Sequence, residues 1–197
     1  MAKSDPAANK RERRKAVRWV VTIFLATILI SGTFSLLSDI LMANSSMAVA
    51  FLILFVIIFI GIVFDIIGMA VASADEKPFH SMASRKVIGA QESILLLRNA
   101  ERVSSICNDV VGDICGVVSG SASATIAVQI LSKFDMSWPQ VVSLAMSALA
   151  AGLTVGGKAV GKSFAVNSCT EIVHNVGKLV YTLRHMPVLF HKKKNKR

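Results

Sequence analysis

Hydrophobic and polar positions along this chain fall into long blocks, with no sustained alternation. Apolar residues fill 17–37 and 47–73 almost without interruption, and two further stretches, 103–131 and 139–160, are apolar but richer in small residues. A helix needs about 20 such residues to cross a bilayer. In lipid only a helix satisfies its own backbone over such a run. The second stretch is the plainest, uniformly apolar and β-branched over 51–64. Asn44, Ser45 and Ser46 precede it as candidate caps, and Pro78 marks its stop. Ser137 and Pro139 open the fourth stretch as cap and first-turn residue. Between the second and third, residues 74–102 set Val87, Ile94, Leu95 and Leu97 among Arg85, Lys86, Glu92 and Arg98. That pattern predicts one or two short helices lying on the membrane surface. After Lys162, the residues Val166, Cys169, Val173, Val176, Val180 and Leu183 follow helical spacing. Glu171, His174, Lys178 and His185 lie elsewhere on the wheel, so an amphipathic interfacial helix is expected to end near Pro187. The predicted fold is an all-α membrane protein with about four transmembrane helices plus cytoplasmic-side interfacial helices.

Composition agrees: 53% of residues are hydrophobic and 17% charged, with a mean hydropathy of +0.60. A net charge of +10 would by itself suit a nucleic-acid partner. The basic residues cluster instead beside the apolar blocks, at Lys3, Lys10, Arg11, Arg13, Arg14, Lys15 and Arg18 and again over 192–197. There they anchor a chain to anionic headgroups, so the expected partner is the lipid bilayer and nucleic acid is set aside. Positive residues crowd the N-terminus, 74–102 and the C-terminus, whereas the short loops near 39–46 and 133–138 hold only Lys133. Both termini are therefore expected in the cytoplasm, with the protein multi-pass in the cell membrane. The chain divides into a basic tail (1–16), a first helix (17–41), a main membrane domain (47–187) and a second basic tail (188–197). The first helix is long enough to span and lacks a small-x-small cleavage site, so a retained helix is expected.

Charge inside a membrane is expensive and earns a functional hypothesis. Asp65 lies within the second span, Asp75 and Glu76 just past its end, and Asn108, Asp109 and Asp113 in the first turns of the third. Asp109 and Asp113, four apart, share a helix face. Carboxylate and amide oxygens suit a hard cation such as Mg²⁺. The plainer alternative is that these groups pair with Lys77, Arg85 or Arg102. Gly112, Gly116, Gly120 and Ala124 recur every four residues, and Ala148, Gly152 and Gly156 repeat the theme, so close helix approach is expected there. Gly156 to Ser163 fits the phosphate-loop pattern, but the preceding residues continue a membrane helix where that mechanism needs a strand, so the match is taken as accidental. Cys107, Cys115 and Cys169 show no metal spacing and read as structural. The histidines show no ligand spacing, with His80 and His174 expected on the solvent side. No nucleophile–base arrangement is evident, and no enzyme is expected.

Three places resemble the transmembrane domain of the CorB/CorC and CNNM (cyclin M) magnesium transporter family, over 47–187. Ser73-Ala74-Asp75-Glu76, with Ser84-Arg85, is similar to the family's S-G-S-E-T and later S-R. Asn99-Ala100-Glu101-Arg102, with Asn108-Asp109, is similar to its N-P-D-R and G-N-N. Gly157-Lys158-Ala159-Val160-Gly161-Lys162-Ser163, with Asn167 and Glu171, is similar to its G-E-x-x-P-K and N-P-E-R. The resemblance implies a three-span core to which the first helix is added, and a homodimer, here through the Gly112/Gly116/Gly120 face. It also implies Mg²⁺ or another divalent cation as substrate, with ion-site positions near Ser73 and Asn108. The candidate ligands are then Ser73, Asp75, Glu76, Asn108, Asp109 and Asp113. Lys158 stands where the family has Glu, Gly161 where it has Pro, and Gly112 where it has a third Asn. The family's CBS pair and CorC-type domain do not follow within the chain, which suggests a separate regulatory subunit. The alternative function is a non-transporting membrane scaffold or partner subunit that has lost the ion site.

Overall fold

A computed structural model describes residues 6–43, 45–134 and 138–194, and every regular element among them is helical. Four stretches are long and apolar enough to cross a membrane: Val17–Met42, Met47–Ser73, Ala100–Phe134 and Pro139–Asn167. The all-α membrane fold is the one the apolar blocks predict.

Helix α1 (Pro6–Ala43) is longer than its apolar block. The basic segment before Val17 is rich in Ala, Lys, Arg and Glu, all strong helix formers, so it continues the helix backward. At the other end α1 reaches Ala43, and the expected turn at 39 is displaced. Helix α2 (Met47–Ser73) has Ser46 as N-cap residue, but its side chain makes no capping bond. The Ser45 hydroxyl instead donates back to the Leu41 carbonyl. Asn44 lies outside the described residues.

Pro78 falls in the first turn of α3 (Lys77–Ser84), where its missing N–H costs nothing. After α4 (Ala90–Arg98), α5 (Ala100–Ser105) passes through a π-helical stretch (Ile106–Gly112) into α6 (Asp113–Phe134). Helix α7 (Pro139–Asn167) is capped by Trp138 without a side-chain bond, and the expected cap Ser137 lies outside the described residues. Helix α7 also runs past residue 160 and takes in Val166. The chain breaks at Ser168, and α8 (Cys169–Lys194) follows. It does not end at Pro187, because a proline removes one backbone bond without stopping the turns beyond it.

Helix α2 is the centre of the bundle, packed against α6, α7 and α8. It carries two apolar cores. One gathers Ala50, Leu54 and Ile58 with Met42, Ala122, Ile126 and Met146. The other gathers Ala70 and Val71 with Phe79, Ala165 and Val173. Helices α4 and α8 close tightly at the second core. A Cβ on Gly89, whose φ is +86°, would stand 2.5 Å from the Lys178 nitrogen, and one on Gly177 would stand 2.5 Å from the Gly89 oxygen. The Ser93 hydroxyl lies 2.9 Å from the Gly89 oxygen and 3.1 Å from the Val173 oxygen, donating to this crossing.

Helix α1 lies along α6, and its most apolar 18-residue stretch buries no residue within the chain. Its attachment lies at its C-terminal end, where Met42 enters the first core and polar bonds join α6. Asp39 accepts from Ser121 at 3.4 Å and Thr125 at 3.5 Å, and the Gln129 amide donates to the Met42 carbonyl at 2.9 Å. Lipid is as apolar as leucine, so burial alone would not hold α1.

Candidate functional site

Between the two cores along α2, an aspartate, a lysine and an asparagine from three segments come near one another. Asp65 lies on α2 and Lys158 on α7, and the Asp65 Oδ1 is 3.4 Å from the Lys158 Nζ. Their side chains are 18% and 25% exposed. At a rise of about 1.5 Å per residue, Asp65 lies about 12 Å from the Ser73 end of α2, and Lys158 about 14 Å from the Asn167 end of α7. Equal depth lets them pair, and in lipid each charge needs the other.

Glycines make the crossing possible. A Cβ on Gly157 would collide with Ile62 of α2, and one on Gly161 would stand 2.8 Å from the Ile66 Cγ1. These are glycines of the apparent phosphate loop. The segment is wholly helical, and its small residues serve close packing of α7 on α2. Gly61 receives Cys115 of α6 in the same way, a Cβ there standing 2.9 Å from the Cys115 Cβ.

The π-helical stretch meets α2 one turn beyond Asp65. A Cβ on Gly68 would collide with the Asn108 Oδ1 and stand 2.7 Å from its Cγ. The Asn108 amide donates to the Ser104 hydroxyl at 3.3 Å, while its Oδ1 is buried without a partner among the described residues. A Cβ on Gly112 would come within 3.2 Å of the Lys158 Nζ and 3.8 Å of the Asp65 Oδ1. Single π turns inside α-helices occur often at functional sites. Here the turn sets an unpaired carbonyl oxygen near an intramembrane ion pair.

The other candidate ligands lie elsewhere. Ser73, the last residue of α2, is exposed. Asp75 is exposed and accepts from the Lys77 backbone at 3.2 Å, starting α3. Glu76 pairs with the Arg98 Nε at 2.9 Å and the His80 Nε2 at 3.6 Å. The partners expected for these carboxylates were Lys77, Arg85 and Arg102, but Arg102 lies 5.7 Å over the Trp19 ring. Asp109 and Asp113 are both exposed. Among the described residues, no three His, Cys, Asp or Glu side chains gather as a metal-holding group.

Of the expected small-residue face, Gly112 is used within the chain. Gly116 and Gly120 on α6, and Gly152 and Gly156 on α7, have open space beside them. His80 is exposed as expected, but His174 is partly buried, with its Nδ1 unpartnered among the described residues. The pairing of Lys158 with Asp65 is not among the pairings the sequence leads one to expect, where Lys158 stands only as a departure from the family's Glu. The signal was available as two opposite charges at matching depth in two spans. No protein-family model, curated protein or solved structure matches the chain.

Proposed function

We propose that the chain is a transporter-like membrane protein that binds a hard divalent cation, Mg²⁺ first, where α2, the π turn and α7 cross. The supporting observation is the Asn108 Oδ1, a buried carbonyl oxygen without a donor, one helical turn from the Asp65 carboxylate. Oxygen ligands of this kind are those Mg²⁺ accepts. The resemblance to the CorB/CorC/CNNM transmembrane domain points the same way, with both termini on the cytoplasmic side. In this reading Lys158 is a tethered competitor. A divalent cation about 4 Å from a unit positive charge is repelled by about 8 kcal/mol at an effective dielectric constant of about 20, so an arriving Mg²⁺ must displace the ammonium.

A second reading is a non-transporting scaffold or partner subunit. It is favoured by Lys158, whose ammonium already neutralises Asp65. Such a subunit would self-associate through the open Gly116 and Gly120 positions and work with a separate regulatory subunit. Gly116→Leu should then abolish the dimer in detergent, and an intact dimer refutes that interface.

Titration calorimetry with Mg²⁺ on the solubilised protein separates the two. The cation reading expects saturable millimolar binding, lost in Asn108→Ala and tightened in Lys158→Gln. No binding by either wild type or Lys158→Gln leaves the scaffold reading. Loss in Asp109→Ala with binding kept in Asn108→Ala would move the site to the exposed face of the π turn.

A further inference from the structure

At the interfacial end of the fold, a cavity of about 200 Å³ opens between the α3–α4 connection and α8. Glu92 lines it with only 8% of its surface exposed. The ion pairs among the described residues join Glu76 to His80 and Arg98, and Asp65 to Lys158, so none reaches Glu92. Its first-turn position on α4 gains from the helix dipole. Its carboxylate faces the cavity and makes no ion pair among the described residues, so a cation from outside the chain can pair with it there.

Lys86 of the α3–α4 connection and Tyr181 of α8 also line it. Lys86 is the one non-glycine residue with positive φ among the described residues, at 55°. That left-handed turn bends the connection so that an ammonium and a carboxylate line one cavity without meeting. Beside them Val87 and Ile88 are 37% and 60% exposed, an apolar pair at the rim of a cavity in the interfacial layer.

We infer that this cavity binds the headgroup of an ethanolamine-type phospholipid, its primary ammonium on Glu92 and its phosphate on Lys86, with the acyl chains passing over Val87 and Ile88. The three features occur in one molecule: a cation for the buried carboxylate, an anion for the exposed ammonium, and an apolar continuation toward the bilayer. A lipid supplies all three, and a soluble aminoalkyl phosphate lacks the third. This inference is independent of the cation site at Asp65 and Asn108.

Native mass spectrometry of the full chain in detergent, with phosphatidylethanolamine against phosphatidylglycerol, tests it. Wild type should prefer the ethanolamine lipid about tenfold, and Glu92→Gln should remove that preference while still binding both lipids. Lys86→Gln should weaken both. Equal binding by wild type, or a preference surviving in Glu92→Gln, overturns the inference. A second measurement needs no variant. A headgroup-photoreactive phosphatidylethanolamine should label wild type between Lys86 and Glu92 and at Tyr181, and labelling elsewhere overturns it. Competition by soluble glycerophosphoethanolamine as effective as by the lipid would assign the cavity to a soluble ligand and overturn the lipid assignment.

Discussion

Truncating either member of the Asp65–Lys158 pair should cost far more than truncating both. At 3.4 Å the Coulomb attraction is about 5 kcal/mol at an effective dielectric constant of about 20. With side chains 18% and 25% exposed, most of it is offset by the desolvation needed to assemble the pair. Asp65→Leu leaves Lys158 as an unpaired ammonium among apolar helices, and Lys158→Leu leaves the carboxylate. Each single change should destabilise by about 3–5 kcal/mol. The double change leaves no orphan charge and replaces the pair with apolar volume, so its cost should be about 1 kcal/mol or less. The expected coupling energy is therefore at least about 5 kcal/mol. Unfolding in mixed micelles by detergent titration, followed by circular dichroism, measures all four corners of this cycle. Costs that simply add would show that the two charges do not interact, and the account of the crossing would fail.

Other outcomes follow from the packing. Gly161→Leu drives a side chain into Ile66 and should split α7 from α2, read as loss of a cooperative thermal transition. Gly177→Val should release α8 from α4 and expose Ser93 while leaving the spans folded, read as protease cleavage confined to α8. Arg98→Ala breaks a largely exposed pair with Glu76 and should change stability by about 1 kcal/mol or less. Burial, and then Lys178, hold the His174 imidazole below the usual histidine value of about 6.5. The unfolded chain then takes up the proton first, so this contribution is complete above about pH 6.5 and is lost as pH falls through the folded value. The melting temperature of wild type should drop more between pH 7.5 and 5.5 than that of His174→Gln, and equal drops would refute the coupling.

The four spans were legible because lipid enforces one simple rule, an apolar run long enough to cross. The surface helices before the third span were legible from their mixed faces, and Phe79 and Val173 show why those faces exist. Helix ends were less so. The helical start at Pro6 depends on propensity, and the passage of α8 beyond Pro187 depends on neighbouring turns. The π turn at 106–112 left no readable mark, since one extra residue in a turn changes no composition. Motif matching pointed to Asn108 but scattered its other ligands along the membrane surface, where Glu76 finds Arg98. Which glycines close on a neighbour was also invisible. Gly157 and Gly161 do, and Gly116 and Gly120 do not, because that choice depends on how each helix is rotated.

The two apolar cores along α2 have a mechanical consequence. One core lies toward the Met47 end of α2 and the other toward its Ser73 end, and between them stand the glycine contacts and the Asp65–Lys158 ion pair. Close-packed cores resist deformation, whereas at the band between them the two are linked through a handful of glycine contacts and one ion pair among the described residues. Lateral pressure or curvature that loads one leaflet more than the other would therefore bend this protein at the band, like a beam stiff at both ends, and Asp65, Asn108 and Lys158 are the groups whose spacing would change first.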